Sequence, residues 1–199
     1  MTMNYTGEKV AVLGLGRSGE AAARLLLDRG AIVTVLDSGP SAPRRAAAAQ
    51  LSSRGARVVL GDDALRCVQD FSFAVLSPGI DPVSPLARRT VEAGLSLVGE
   101  VELAFRSCAC PVVAITGTNG KTTTTGLTAA LLNAAGLRAE ACGNIGLPFS
   151  EVAVRSASLD AAVVEVSSFQ LETTDTFRPR VAVWTNFSAN HLDRYPDVA

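Results

Sequence analysis

The sequence predicts an α/β protein: a Rossmann-like parallel sheet followed by the first part of a phosphate-loop α/β domain. Three observations carry that expectation. Short β-branched runs alternate with alanine- and leucine-rich stretches along the chain, the pattern of strands joined by crossover helices. Two of the strand-to-helix junctions are rich in glycine, at 14–19 and 117–120. Hydrophobic residues make up 48% of the 199 positions and aromatics only 5%, so the core is built mainly from Ala, Val and Leu.

The elements follow in order. Residues 10–13 read as a buried strand. A helix is expected over 18–29, with Ala22, Leu25 and Leu26 on its inner face and Gly30 placed to end it. Residues 32–36 form the next strand, which stops at Asp37. Residues 38–45, with two prolines and a glycine, read as a loop, and 45–54 as an alanine-rich helix closed by Gly55. Strands at 58–60 and 73–76 follow, the second ending in the 77–80 turn. Ser84 and Pro85 have N-cap and first-turn character, Gly94 closes that helix, and 95–98 completes about five strands.

One domain is therefore expected over 1–99. A short helix and the 108–111 segment lead into a second, 100–199, with strands at 112–116, 161–166 and 181–185. Its long helix runs from the second glycine loop to Ala135. So thin a second half reads as the N-terminal part of a larger domain, and the chain as a piece of a longer protein.

Composition excludes several classes. Net charge is −1 with both signs interspersed, so nucleic acid is not an expected partner. No apolar run reaches membrane-span length and the N-terminus lacks a signal-peptide layout, so a cytoplasmic protein without membrane contact is expected. A monomer is expected. Cys67, Cys108, Cys110 and Cys142 read as reduced structural thiols, because the Cys108–Cys110 spacing is too tight for zinc pairing.

Function concentrates in the second glycine loop. The chain has two lysines, Lys9 and Lys121, and the second follows strand 112–116 in G-T-N-G-K-T. A helix start fed by glycines presents free N–H groups and a positive dipole end, which suits an anion. Gly117, Thr118, Asn119, Gly120, Lys121, Thr122 and Thr123 are thus candidate ATP-binding residues. Lys121 would supply a mobile charge for the terminal phosphates, and the Thr122 hydroxyl can ligate Mg²⁺. Ile115 stands where the common loop has its first glycine, so this loop is short.

Gly14, Gly16 and Gly19 fit G-x-G-x-x-G, with Asp37 closing the second strand, the fingerprint of dinucleotide sites. An NAD-dependent dehydrogenase must then explain a second phosphate loop that hydride transfer does not need. A nucleotide-linked substrate, its diphosphate near Arg17 and Ser18, accounts for both loops.

Three polar islands follow, each at or beyond a strand end. Asn144 sits between glycines in C-G-N-I-G. Glu165 lies within an otherwise apolar strand in E-V-S-S-F-Q-L-E, where burial is costly unless it meets a cation or hydrogen-bond donors; Mg²⁺ is a natural partner and an arginine the alternative. The third holds the single histidine, His191, beside Asn190 and Asp193.

The runs ITGTNGKTTT, GNIGLP, EVSSFQLE and NHLDRYP, in that order behind GLGRSG and the SPG turn, resemble the Mur ligases of peptidoglycan synthesis. The resemblance covers essentially the whole chain. It implies ATP-dependent amide formation: the carboxylate of UDP-N-acetylmuramoyl-L-alanine attacks the γ-phosphate, and the amine of D-glutamate displaces phosphate from the acyl phosphate. It further implies that Lys121 contacts the β/γ-phosphates, that Thr122 and Glu165 hold one Mg²⁺, and that His191 helps hold a second metal. Lys121, Glu165 and His191 would be the catalytic set. Arg17, Ser18, Asp37, Ser38 and Gly79 would line the uridine-diphosphate pocket, with Asn144, Ser167, Gln170 and His191 near the rest of the substrate. Asn190 stands where many relatives have aspartate, and no lysine follows Lys121 in place of the family's modified lysine. The D-glutamate site would lie mostly in a third domain beyond this chain, which alone is expected not to turn over. Alternatives are a sister Mur or folylpolyglutamate-type ligase, a non-catalytic nucleotide-binding module, and an NAD-binding Rossmann protein.

Overall fold

The computed structural model describes residues 3–39 and 42–189. Strands β1 (Lys9–Leu13), β2 (Ile32–Asp37), β3 (Arg57–Leu60), β4 (Phe73–Leu76) and β5 (Leu97–Gly99) form a parallel sheet in the order β3-β2-β1-β4-β5. Helices α1 (Arg17–Asp28), α2 (Ala42–Ser53) and α3 (Pro85–Glu92) and a 3-10 turn at Gly61–Arg66 connect them. The strand order reverses between β1 and β4, and open parallel sheets take ligands in the crevice outside the carboxyl ends at such a point.

A second parallel sheet holds β6 (Val112–Thr116), β7 (Ala139–Gly143), β8 (Ala161–Glu165) and β9 (Val181–Trp184) in the order β7-β8-β6-β9. Helices α5 (Lys121–Ala134) and α6 (Phe149–Arg155) pack on it, whereas α4 (Glu100–Ser107) lies against β4 and β5 of the first sheet and carries the single turn α7 (Ser168–Leu171). Every residue of β8 is buried, as a nearly unbroken A-A-V-V run in a covered parallel strand requires.

Four elements depart from expectation. Helix α2 begins at Ala42, inside the stretch read as a loop; a proline in a first helical turn gives up an N–H that would have no partner there. Strand β7 reads A-E-A-C-G and has no β-branched residue, so its pairing with β8, not its propensity, makes it a strand. Helices α6 and α7 were also not expected as elements. The α7 turn starts in a capping box: Gln170 N–H donates to Ser167 Oγ at 3.3 Å, and Ser167 N–H donates to Gln170 Oε1 at 3.0 Å.

One apolar core runs through both halves. Ala22, Leu25 and Leu26 of α1, Val101 and Leu103 of α4, and Phe149 and Val152 of α6 are buried in the same cluster as Val10, Val35, Val112 and Val164. Helix α6 packs on both α1 and α4. Glu102 ties this junction to the segment after α7. Fully buried, it accepts N–H bonds from Asp175 (3.0 Å), Thr176 (3.0 Å) and Phe177 (2.9 Å), the Thr176 hydroxyl, and Arg106 Nε at 2.7 Å. Burial pushes its pKa up, but the Thr176 hydroxyl, the Asp175 amide and Arg106 outweigh that and hold it below the ordinary value. No helix among the described residues is long and apolar enough to cross a membrane.

Candidate functional site: two glycine loops and a carboxylate pair

The first loop leaves β1 at Leu13 and turns through Gly14, whose φ is +94°; a Cβ there would lie 2.7 Å from the Ile80 side chain. A Cβ on Gly19 would lie 2.0 Å from the Gly14 carbonyl oxygen, so only glycine lets α1 sit on the turn. Gly16, the N-cap of α1, is different: its φ is −87° and a Cβ would meet no atom within 4 Å. Nothing among the described residues requires glycine at that position. Gly79, in the facing turn, has the same open surroundings.

Asp37 organises this loop. It is 2% exposed; its Oδ2 accepts from Leu15 N–H at 2.6 Å, and its Oδ1 from Gly39 N–H at 2.7 Å and Arg44 Nη1 at 2.8 Å. The sequence places Asp37 toward a ligand, whereas here its carboxylate is bonded to its own loops. Arg17 and Ser38 are exposed and Ser18 half-buried around the same turn.

The second loop leaves β6 at Thr116 and reaches α5 through Gly120, whose φ of +82° is left-handed. Among the described residues the N–H groups of Gly120, Lys121, Thr122 and Thr123 make no hydrogen bond, as expected for the first turn of a helix without a side-chain cap. Lys121 folds back, donating to the carbonyls of Gly117 at 2.7 Å and Thr118 at 3.2 Å. Four consecutive threonines, poor helix formers, occupy the start of α5 and put hydroxyls at this end.

Parallel register brings the carboxyl ends of three strands level, with Glu165 opposite Gly143 on one side and Ile115 on the other. Gly143 has φ +110°, and a Cβ would lie 2.2 Å from the Glu165 carbonyl oxygen. That contact brings in Asn144, whose N–H donates to Glu165 O at 2.9 Å and whose Nδ2 donates to Oε1 at 3.0 Å. The other carboxylate oxygen, Oε2, accepts from the Thr122 hydroxyl at 2.8 Å. Glu165 is 2% exposed and both side-chain donors are neutral, so the arginine partner considered from sequence is not what holds it.

That pair fits a small hard cation. Adjacent ligands of an octahedral Mg²⁺ at its usual bond lengths lie about 2.9 Å apart, close to the Thr122–Glu165 separation. Ser167 and Gln170 are spent on the α7 capping box, with Gln170 also lining a cavity of about 20 Å³ beside Ser77, Pro78 and Glu100. Thr123 is exposed on α5. His191 and Asn190 lie outside the described residues. The structure also brings forward Thr185, Asn186 and Ser188, which sequence reasoning left without a role although they follow the carboxyl end of β9. Cys110 and Cys142 both have thiol pKa values raised first by burial, that of Cys110 to about 12.

One chain thus holds two parallel α/β sheets and a G-T-N-G-K-T loop whose Thr122 meets a buried carboxylate. Residues 8–99 match the Mur ligase MurD-like N-terminal domain and residues 115–199 the Mur ligase middle domain; the chain belongs to the Mur ligase family. It is 46% identical to the UDP-N-acetylmuramoylalanine–D-glutamate ligase of Streptococcus mutans serotype c, over 96% of this chain and 42% of that protein. The same-named protein of Lactococcus lactis subsp. cremoris is 45% identical over 95% of this chain and 42% of its own length. The chain thus spans about two fifths of the curated relatives it matches. Among solved structures, the UDP-N-acetylmuramate:L-alanyl-γ-D-glutamyl-meso-diaminopimelate ligase of Neisseria meningitides aligns with a TM-score of 0.60 at 21% identity, over 96% of this chain and 64% of that one. A murein peptide ligase from Psychrobacter arcticus aligns at 0.56 and 23%, over 94% and 44%. These two likenesses show the fold.

Proposed function

We propose that this chain forms the UDP-substrate and ATP-binding part of a ligase that joins D-glutamate to UDP-N-acetylmuramoyl-L-alanine, with ATP and Mg²⁺, in cytoplasmic peptidoglycan precursor synthesis. The observation that carries the reading is the 2.8 Å contact between Thr122 Oγ1 and Glu165 Oε2 at the open start of α5. Residues 1–99 take the uridine diphosphate and 100–199 the triphosphate. The amino-acid site lies in the part of such ligases that this chain does not span.

Each side chain then has a physical task. Lys121 leaves the carbonyls of Gly117 and Thr118 for the β- and γ-phosphates, exchanging neutral acceptors for charged ones. The free N–H groups of 120–123 hold phosphate oxygens at the positive end of α5. Thr122 and Glu165 would hold Mg²⁺, which when bound neutralises phosphate charge so that the substrate carboxylate can approach. Asn144, fixed by Glu165, faces the muramoyl part, and His191 serves a second metal. Arg17, Ser18, Ser38 and Gly79 line the uridine-diphosphate pocket, with Asp37 shaping it. The γ-phosphoryl group passes to the substrate carboxylate, and the D-glutamate amine displaces phosphate from the acyl phosphate.

Calorimetry on the 199-residue chain tests the assignment. Binding of Mg–ATP and of UDP-N-acetylmuramoyl-L-alanine, each without the other, is the expected result; binding of NAD in place of both would sink it. Lys121→Ala is expected to weaken Mg–ATP on the order of 100-fold and to leave the UDP substrate unaffected.

A further inference from the structure

The phosphate loop does not hold its shape alone. Asn186 Oδ1 accepts from Asn119 N–H at 3.0 Å while its Nδ2 donates to Asn119 O at 2.9 Å, so one carboxamide pairs with both polar groups of one loop residue. Thr118 N–H donates to Asn186 O at 3.0 Å, and Thr118 Oγ1 bonds both ways with Ser188, to its carbonyl at 3.1 Å and from its N–H at 3.0 Å. Thr185 Oγ1 donates to Asn119 O at 2.7 Å and packs where a Gly117 Cβ would lie, 2.2 Å away.

We infer that Asn186 is a positioning residue of the phosphate site: it clamps residues 117–119 from outside so that the N–H groups of 120–123 stay aimed at a polyphosphate. The inference rests on the proposed ATP reading of this loop and names the residue that completes it. Two features require an external clamp. The loop is short, with Ile115 in place of the usual first glycine, and the N–H groups of Thr118 and Asn119 are already committed outward. In addition, the carbonyls of Gly117 and Thr118 are held by Lys121 only while that ammonium is folded back. Once Lys121 turns to a phosphate, the bonds from 185–188 are the ties left on the loop. Only a carboxamide of this length presents a donor and an acceptor together; aspartate offers no donor and sets a second anion beside the phosphates.

The chain carries its own reporter. Trp184, the single tryptophan, donates through Nε1 to Asn186 O at 3.1 Å, the same carbonyl that takes Thr118 N–H. Its emission therefore reads the clamp.

The test compares wild type, Asn186→Ala and Asn186→Asp as the 199-residue chain, titrated with Mg–ATP and separately with UDP-N-acetylmuramoyl-L-alanine. Calorimetry, Trp184 fluorescence and the thermal midpoint are followed. Both variants are expected to weaken Mg–ATP about tenfold or more, to lose the Mg–ATP-induced change in Trp184 emission, and to keep wild-type affinity for the UDP substrate. Wild-type affinity for Mg–ATP in Asn186→Ala overturns the inference, as does an equal loss of both ligands with a lowered midpoint, which marks a residue of the fold. Wild type that fails to bind Mg–ATP while binding the UDP substrate overturns the ATP reading itself, and the unsubstituted chain alone reveals that.

Discussion

The two glycine loops use one backbone plan and opposite electrostatics. Each turns a parallel strand into a helix and sets a buried carboxylate from a neighbouring strand against the turn. In the first, Asp37 accepts two backbone N–H bonds and the Arg44 guanidinium, so its charge is already compensated. In the second, Glu165 is met by a hydroxyl and a carboxamide, both neutral, while Lys121 is folded onto the carbonyls of its own loop. A buried carboxylate met by a cation has its charge compensated within the fold; one met by neutral donors does not.

Exchanging each carboxylate for its amide breaks that comparison most directly. Asp37→Asn gives up one acceptor for a donor and leaves Arg44 facing a neutral group, at a cost of about 2 kcal/mol. For a chain of this size that lowers the thermal midpoint by roughly 4–8 °C in calorimetric scans. Glu165→Gln should leave the midpoint at or above the wild-type value, because among the described residues this buried carboxylate meets neutral donors and no cation. The same variant should abolish the effect of Mg²⁺ on ATP affinity. Equal midpoint losses in the two variants would show that the carboxylates play the same part.

Glycines give the next contrast. Gly19→Ala drives a Cβ into the Gly14 carbonyl and must push α1 off the turn, a loss of about 1–3 kcal/mol visible in urea unfolding. Gly16→Ala meets open space and should unfold like wild type. If the crevice takes a diphosphate against Gly16, that variant should still bind the UDP substrate several-fold more weakly, by calorimetry. Undiminished binding would show that the ligand does not approach there.

Much of this was legible in the sequence because its signals are local. The glycine spacing, the position of Lys121 and the apolar run ending at Glu165 each announce themselves within a few residues. The A-E-A-C-G run of β7 carries no such signal, since β8 supplies its reason for being a strand. Asp37 was legible as a carboxylate at a strand end but not as one whose oxygens are taken by Leu15, Gly39 and Arg44, a fact of tertiary distance. Asn186 was hidden for the same reason: its partner Asn119 is remote in sequence and only the β6–β9 pairing brings the two together. The S-x-x-Q capping box of α7, by contrast, is a local signal carried by Ser167 and Gln170 alone.

The junction between the halves extends the rule to a third pair, with the smallest expected effect. Glu102 has amides and a guanidinium around it, whereas the fully buried Glu100 meets Ser150, whose N–H lies 2.6 Å from Oε1, and among the described residues its Oε2 has no hydrogen-bond partner. Burial raises the Glu100 pKa and the Ser150 bonds offset only part of that. A folded-state pKa above the unfolded one means the contribution is complete below the ordinary glutamate value and is lost as pH rises toward the folded value. For Glu102, held low, the sign reverses: its contribution is complete above the ordinary value and fades as pH falls through the folded one. Glu100→Gln should therefore flatten the fall in thermal midpoint as pH rises above the ordinary glutamate value, while Glu102→Gln should flatten the acid limb below that value. Midpoint profiles of wild type and Glu100→Gln that run parallel across that range would mean Glu100 is ionised in the fold, and that the carboxylate's neighbours do not decide its state.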